Sequence, residues 1–550
     1  MKRPIAVALC ASLAAGSCRS VQDGLDELEE TAESFAGILN RLPNPSEPET
    51  TPSQEPSTKD EVPAAAGENG DEGPSATTDS GATWMAVGDG SVRYAVLAAD
   101  GAMPLDCPDA IRSLTGSRFV ARLNDAGEVA ILISGRPVAD PKNPLNPPVV
   151  PVVISKGRPG ELRRYVGFGD EVRDLEASGL VLVGTGKKEY RPGPLRPVVL
   201  RSVDDLWLFE DGRVGFWGTA SAERTGKEDP GQASGFFLAD DTGISPAGLE
   251  NRTAPAGALP VNQVRTAREV PLGVARTDGR FLDGGDLFVV RSETGFCGRG
   301  APGRFEYSLR PESPAPGFPG GGTVRVTGTA SGIVESAGLY AIFLATVSGP
   351  GLASPTALYL SGPDGVSLLS KTAFAGKVGR GGHVFVEDRR VGLWGKPGEL
   401  EEVRTVTGER LEVKASGVFV LDDGTLVVQI VKNAGRLTGA SMETWHGPGN
   451  RLARLDAGST SAPILAHAAP QGIVAQKSSA GAVLVGRFGE IKRTLGAGDR
   501  ITISPGDVRM IKNVDALGIN NRGDVLLHCV FAPEEGVRDE SQGILFVSTR

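Results

Sequence analysis

The chain is poor in the residues that most often carry chemistry. Its 550 residues include four histidines, His383, His446, His467 and His528, and none has a second histidine at ligand spacing. An imidazole-held catalytic metal is therefore not expected. His528 falls in an alternating apolar run, the pattern of a packed or surface strand residue. There are five cysteines and no Cys-x-x-Cys pair, which argues against a zinc ribbon. No Asp-x-Asp-x-Asp-Gly loop is present, so Asp240, Asp241, Asp388, Asp422 and Asp423 read as turn residues rather than calcium ligands. There is no Walker loop and no Gly-x-Ser-x-Gly elbow. Gly298-Arg299-Gly300-Ala301-Pro302-Gly303 matches a dinucleotide fingerprint on paper. Pro302 and the strand-like Phe305-Glu306-Tyr307 take the place of the helix that would meet the phosphates. No metal and no cofactor are expected. The one long apolar run, Ile5 to Leu13, is too short to span a bilayer.

Basic excess is also missing. The formal net charge is −10, and it is uneven. Residues 22–81 hold 15 acids against Arg41 and Lys59, whereas residues 82–550 hold 52 acids and 52 bases. A nucleic-acid-binding domain usually carries net positive charge, so no nucleic-acid partner is expected.

Glycine (75) and proline (39) are plentiful. They suit many turns between short strands. The clearest unit is Ile519-Asn520-Asn521-Arg522-Gly523-Asp524-Val525-Leu526-Leu527. A near copy is Leu123-Asn124-Asp125-Ala126-Gly127-Glu128-Val129-Ala130-Ile131. Looser copies run from Phe209 through Gly212 to Phe216, and from Leu421 through Gly424 to Val428. Asn and Asp bond locally within turns, and glycine adopts positive φ without steric cost. Each copy therefore predicts a β-hairpin. Asn124, Gly127, Gly212, Gly424, Asn520 and Gly523 are its structural residues. With Asn124, Gly127, Ala130, Asn520 and Gly523 in place, residues 84–550 resemble a bacterial exported family of tandem-repeat proteins. That family carries the pattern Asn-x-x-Gly-x-x-x-Ala-Phe and varied membrane anchors. The resemblance implies a repeated β fold and supplies no catalytic residue.

In chain order, residues 1–17 read as an export signal, with Lys2 and Arg3 before the apolar run. Ala15-Gly16-Ser17-Cys18 resembles a lipobox, with Cys18 as the lipidated first residue of the mature protein. The alternative is plain secretion. Arg19 after the cysteine suggests, by analogy, sorting to an outer membrane. Within 18–42, Val21, Leu25, Leu28, Ala32, Phe35, Leu39 and Leu42 alternate by four and three. That predicts a short amphipathic helix ended by Pro43. It is either a coiled-coil stalk that makes a homo-oligomer or a helix lying on lipid or on the main domain. Residues 43–82 are a Pro/Ser/Glu-rich linker with too few apolar residues to fold.

From Trp84 onward the pattern is strand and turn. We read eight units of three or four strands, or seven if the short fifth unit around 383–394 merges with a neighbour. The fold expectation is an all-β propeller. Residues 92–98 look like an outer strand without its own hairpin. They are expected to complete the last blade and close the ring, hiding an exposed sheet edge. Closure would bring the Cys107 and Cys529 regions together as a candidate disulfide. Trp207, Trp217 and Trp394 sit in repeat strands and are expected in the core. Trp445 lies in a loop-like context and is the candidate for stacking on a ligand.

The functional expectation is a lipid-anchored binding protein of the bacterial cell envelope. It would recognise a protein or a glycan through loops at one end of the ring, including insertions at 135–148 and 218–234. The alternative is a carbohydrate-active enzyme (a glycoside hydrolase or lyase) with carboxylates at the ring mouth. A pair of converging carboxylates beside an exposed aromatic would favour that alternative.

Overall fold

The computed structural model describes residues 77–549 apart from short stretches, the longer being 139–149, 174–181, 191–196, 223–231, 251–276, 433–440, 456–463 and 534–539. The expected export signal, Cys18, the expected helix within 18–42 and most of the expected linker lie outside the described residues.

Each hairpin expected from an Asn/Asp-Gly turn is formed in an antiparallel blade, of four strands in the first seven blades and extended to a seven-stranded sheet in the last. There are eight blades. The first strands of blades one to eight begin at Arg118, Val198, Thr277, Arg325, Ala375, Val418, Ile464 and Asp507. Glu401–Glu402 closes the fifth blade as a short outer strand, so that unit does not merge with a neighbour. In six of the eight neighbouring pairs the first strands touch, which places them around the centre of the ring. No α-helix occurs among the described residues.

The strand period of two gives each blade two apolar faces, one for each neighbour. Eight apolar clusters result, one at each blade interface. That between blades one and two holds Leu206, Phe216 and Phe237. Among the described residues, the interface between blades six and seven holds the fewest buried apolar side chains, Leu421, Val427, Leu465 and Val474. Elsewhere, aromatic pairs fill the wider gaps. Phe216 stacks on Phe237 at 5.5 Å, and Trp217 meets Phe236 edge-on at 4.6 Å.

The turn between the first and second strands is the same in seven blades. The residue at its first position receives a backbone bond from the glycine at its fourth, as in Gly127 N to Asn124 O and Gly523 N to Asn520 O. Those glycines have φ between 78° and 86°. This is a type I turn closed by a left-handed residue, a geometry that favours glycine. Two of these turns, Gly379–Gly382 and Ala469–Gly472, hold no Asn or Asp, and Leu282–Gly285 has Asp283 alone. The fourth blade instead turns through Gly338 and Leu339.

Ring closure follows the expectation. Val92–Ala99 pairs with Ser541–Ser548 on the outside of the last blade. Beyond it lie Ala82–Val87 and Thr77–Asp79. The sheet therefore begins at Thr77, inside the stretch read as linker and before the boundary expected at Trp84. The insertion expected at 218–234 is in part strand. Val214–Ala222 and Gln232–Asp240 form one long hairpin.

The expected Cys107–Cys529 disulfide is not formed. Cys107, Cys297 and Cys529 are free thiols. Strand alternation explains this. Cys529 points from the eighth blade toward the seventh, beside Val483 and Phe531. Cys107 packs on the opposite face, with Ile544 and Phe546, toward the first blade. The closing sheet separates the two sulfurs.

Asp100, just after the closure strand, fastens it. Its carboxylate accepts from Ser113 Oγ (2.7 Å), Thr115 Oγ1 (2.6 Å), Leu114 N (2.5 Å) and Gln542 N (2.8 Å). Burial alone would raise its pKa, but the bonds from Thr115, Ser113 and Gln542 hold it below the usual carboxylate range. A depressed carboxylate pKa adds stability above the unfolded pKa that is lost as pH falls through the folded one. Asp100→Asn is therefore expected to lower the unfolding free energy by about 1–3 kcal/mol at pH 7. The deficit should shrink between pH 7 and a pH well below the usual carboxylate range, where the wild-type carboxylate is itself protonated. Denaturant titration at the two pH values checks this, and an equal deficit at both would refute the charge-based account.

Candidate functional site at the ring mouth

The eight first turns meet at one end of the ring and join hand to hand. Asn520 Nδ2 donates to Asn124 O (3.1 Å), and Asn124 Nδ2 donates to Phe209 O (3.1 Å). Asn520, Asn124 and Phe209 hold the same position in successive blades. Arg213 Nη2 then reaches Gly284 O (2.7 Å), and Asp283 N reaches Gly338 O (2.9 Å). Gly338 lies so close to Arg380 that an added Cβ would stand 3.0 Å from its Cα. Gly381 abuts the Asp422 carbonyl in the same way. Asp422 N donates to Pro470 O (2.9 Å), and Gln471 N donates to Asn521 Oδ1 (2.8 Å). The circuit is complete.

The second position of each turn is next to the axis. It holds Asp125, Glu210, Asp283, Arg380, Asp422, Pro470 and Asn521 in seven blades. Arg380 reaches across the opening. Its Nη1 lies 3.9 Å from Asp125 Oδ2, its Nη2 lies 3.8 Å from Glu210 Oε1, and its Nε lies 3.3 Å from Asp283 Oδ2. One guanidinium from the fifth blade thus meets carboxylates of the first, second and third. Asp422, from the sixth, accepts from the Arg380 backbone. Three carboxylates meet one cation and a fourth accepts from its backbone, so these five side chains are acidic by three charges.

Two of those carboxylates show the excess. The pKa of Asp422 is raised, first by burial, then by Asp283 and Asp125, against the pull of Arg380. Its Oδ1 is buried without a hydrogen-bond partner. Glu210 is raised too, first by burial and then by Asp125, against a backbone bond from Asp125 and the charge of Arg380. Beneath the mouth, against blades four to seven, lies a cavity of about 240 Å³. Arg380 and Asp422 are part of its wall, with Phe419, Ala468 and the Lys377–Glu335 ion pair. Opposite, Arg122 and Arg280 share Asp205 at 3.5 Å and 4.0 Å.

The other site expectations fare differently. Asn124, Gly127, Gly212, Gly424, Asn520 and Gly523 all stand in the turns of this ring, as their motif implied. Trp445 does not stand in a loop. It lies inside the strand Ser441–Gly447, paired with Val428 and Arg454. It packs between blades five and six, and its indole Nε1 is buried. Its ring is not a stacking platform. Trp394 is likewise fixed, donating from Nε1 to Gly424 O at 2.7 Å. His467 bonds through Nε2 to Ala516 O, and His528 lies against Phe119 and Gln542. Among the described residues no group of three or more His, Cys, Asp or Glu could hold a metal ion. Arg380 was missed in the sequence because Gly379-Arg380-Gly381-Gly382 carries no Asn or Asp. The usable signal was its place between two apolar strands at the repeat spacing.

No family model matches the chain, and no curated protein matches it. Solved structures with a similar arrangement include the Dos1 propeller, at 8% identity and a TM-score of 0.31, covering 79% of this chain and 93% of that one. The β-propeller domain of the Trilobed protease from Pyrococcus furiosus, described as having an open velcro topology, matches at 8% identity and a TM-score of 0.26, over 68% and 95%. Tricorn protease matches at 11% identity and a TM-score of 0.28, and 76% of this chain covers 51% of that one.

An aspartate whose pKa is raised on folding favours its protonated form in the folded state. Its ionised form therefore opposes the fold at neutral pH, and stability is regained as pH falls through the raised value. Asp422→Asn removes that charge at nearly constant shape. The variant is expected to unfold at higher denaturant than wild type at pH 8, with the gap closing by about pH 4. A gap that widens on acidification would contradict the assignment.

Proposed function

We propose that this protein is a non-enzymatic binding protein of the bacterial cell envelope, held by a lipid on Cys18 and presenting an eight-bladed β-propeller to a ligand or partner. The tandem-repeat exported family that the chain resembles fits this reading, as does the acidic stretch between the lipobox-like segment and the propeller. The surface proposed is an outer membrane. Self-association through residues 21–42 is part of the same proposal.

One observation carries the choice of binding over catalysis. The mouth carboxylates are grouped around one guanidinium. A glycosidase needs one carboxyl as acid and a second as base or nucleophile, with the sugar between them. Here Arg380 stands between Asp125, Glu210 and Asp283. The aromatic that a sugar would stack on is also not at the mouth, since Trp445 packs between blades. The cluster is built to display charge on a rigid ring.

Cell fractionation of wild type and Cys18→Ala tests the anchoring. Wild type is expected in the membrane fraction, with Cys18→Ala released from it or left as an unprocessed precursor. Equal membrane recovery with normal processing would remove the lipid anchor from the proposal. Incubation of the purified protein with cell-wall glycans is expected to release no reducing ends, and turnover lost in Glu210→Gln would establish the enzyme reading instead.

A further inference from the structure

The mouth has the form of a receptor that is already occupied. Carboxylates from three blades approach three different nitrogens of one guanidinium, Asp125 at Nη1, Glu210 at Nη2 and Asp283 at Nε. A planar guanidinium presents donors in a fixed fork that suits carboxylates on several sides. The distances, 3.3 to 3.9 Å, are long for charge-assisted hydrogen bonds. All four side chains are roughly one-third to one-half exposed. Such exposed contacts hold weakly. Arg380 is therefore loosely held in a place that attracts cations strongly.

Two further observations point to an outside occupant. Charge is left over: Asp422 is a fourth carboxylate that the guanidinium does not contact, and its Oδ1 has no partner. Space is left over as well, in the cavity of about 240 Å³ whose wall includes Arg380 and Asp422. Phe419 and Ala468 in that wall offer an apolar surface to a hydrocarbon stem. Neighbouring charges do not compete for the site. Arg213 is tied to Asp211 and Gly284, and Arg522 to Asp524 and Ala126. Lys377 is paired with Glu335.

We propose that the channel mouth is a receptor for an organic guanidinium or ammonium group on a short apolar stem, and that Arg380 fills it as an internal placeholder in the free protein. The occupant would be the side chain of a basic residue on a partner or a free alkyl cation. Its charged head would take the Arg380 position among Asp125, Glu210 and Asp283, and its stem would lie toward Phe419. This rests on reading the propeller as a binding module and adds the ligand class.

The test is occupancy by a small cation in the full chain. Arg380→Ala and the longer Arg380→Gln both vacate the position, so that a folding defect in one leaves the other. Ethylguanidinium is titrated into each by calorimetry and thermal shift, with sodium chloride at matched ionic strength as the control. Saturable binding is expected in the vacated variants, at least 10-fold tighter than in wild type, with a rise in melting temperature that salt does not reproduce. Adding Asp283→Asn to Arg380→Gln should weaken binding by a further 10-fold. No saturable binding in either vacated variant, or equal affinity in wild type, would overturn the proposal. So would an affinity unchanged by Asp283→Asn. None of these results bears on the Cys18 anchor or on glycan turnover, so this inference can fail while the wider reading stands.

Discussion

The constraint on which the rest depends is the turn-to-turn circuit at the ring mouth. A propeller blade alone exposes two apolar faces, and only neighbours on both sides cover them. The circuit sets each blade against the next by joining equivalent turn positions, so the apolar faces meet in register. Its polar side chains are concentrated where the chain itself supplies no link. The eighth and first blades are far apart in sequence. There Asn520 donates to Asn124 O, Asn521 donates from both N and Nδ2 to the Asp125 carboxylate, and Arg522 reaches Ala126 O. The two best copies of the repeat motif are the two turns that flank this seam. Elsewhere covalent continuity helps, and the motif relaxes to Phe209, Leu421 or Gly379.

That relaxation marks how far the sequence could be read. The hairpins at 123–131 and 519–527 were legible because Asn and Gly each have a backbone reason to be there. Closure by 92–98 was legible from an alternating run without its own turn. The turns at 282–285, 379–382 and 469–472 were not, because glycine alone suffices for a left-handed fourth position and the first position tolerates any residue that leaves its backbone free. Trp445 was misplaced because Gly447-Pro448-Gly449 suggested a loop. In fact those residues are the next tight turn, and Trp445 is the last strand residue but one before Gly447 closes the strand. The cysteine pairing failed because proximity along the ring does not fix which face of a sheet a side chain takes.

The site was less legible still. Asp125, Glu210, Asp283 and Asp422 are each ordinary turn acids in sequence. They become a cluster only because eight equivalent turns converge on one axis. Convergence turns a repeated local preference into a collective field, and Arg380 is the single departure of opposite sign. Burial first, and then the neighbouring carboxylates, raise the pKa values of Asp422 and Glu210. The ring tolerates this because the apolar interfaces and the backbone circuit hold the turns in place.

The strands outside the closure strand have a mechanical consequence. Thr77–Asp79 and Ala82–Val87 are the first parts of the described chain, and they lie on the rim of the last blade. A pull applied from the N-terminal side loads them before it loads Val92–Ala99. They can peel away a residue at a time, while Asp100 still pins the far end of the closure strand. Residues 77–91, drawn out straight, would yield roughly 50 Å of extra length at about 3.4 Å per residue. Under such a load these two outer strands would give before the blade that holds the circle shut.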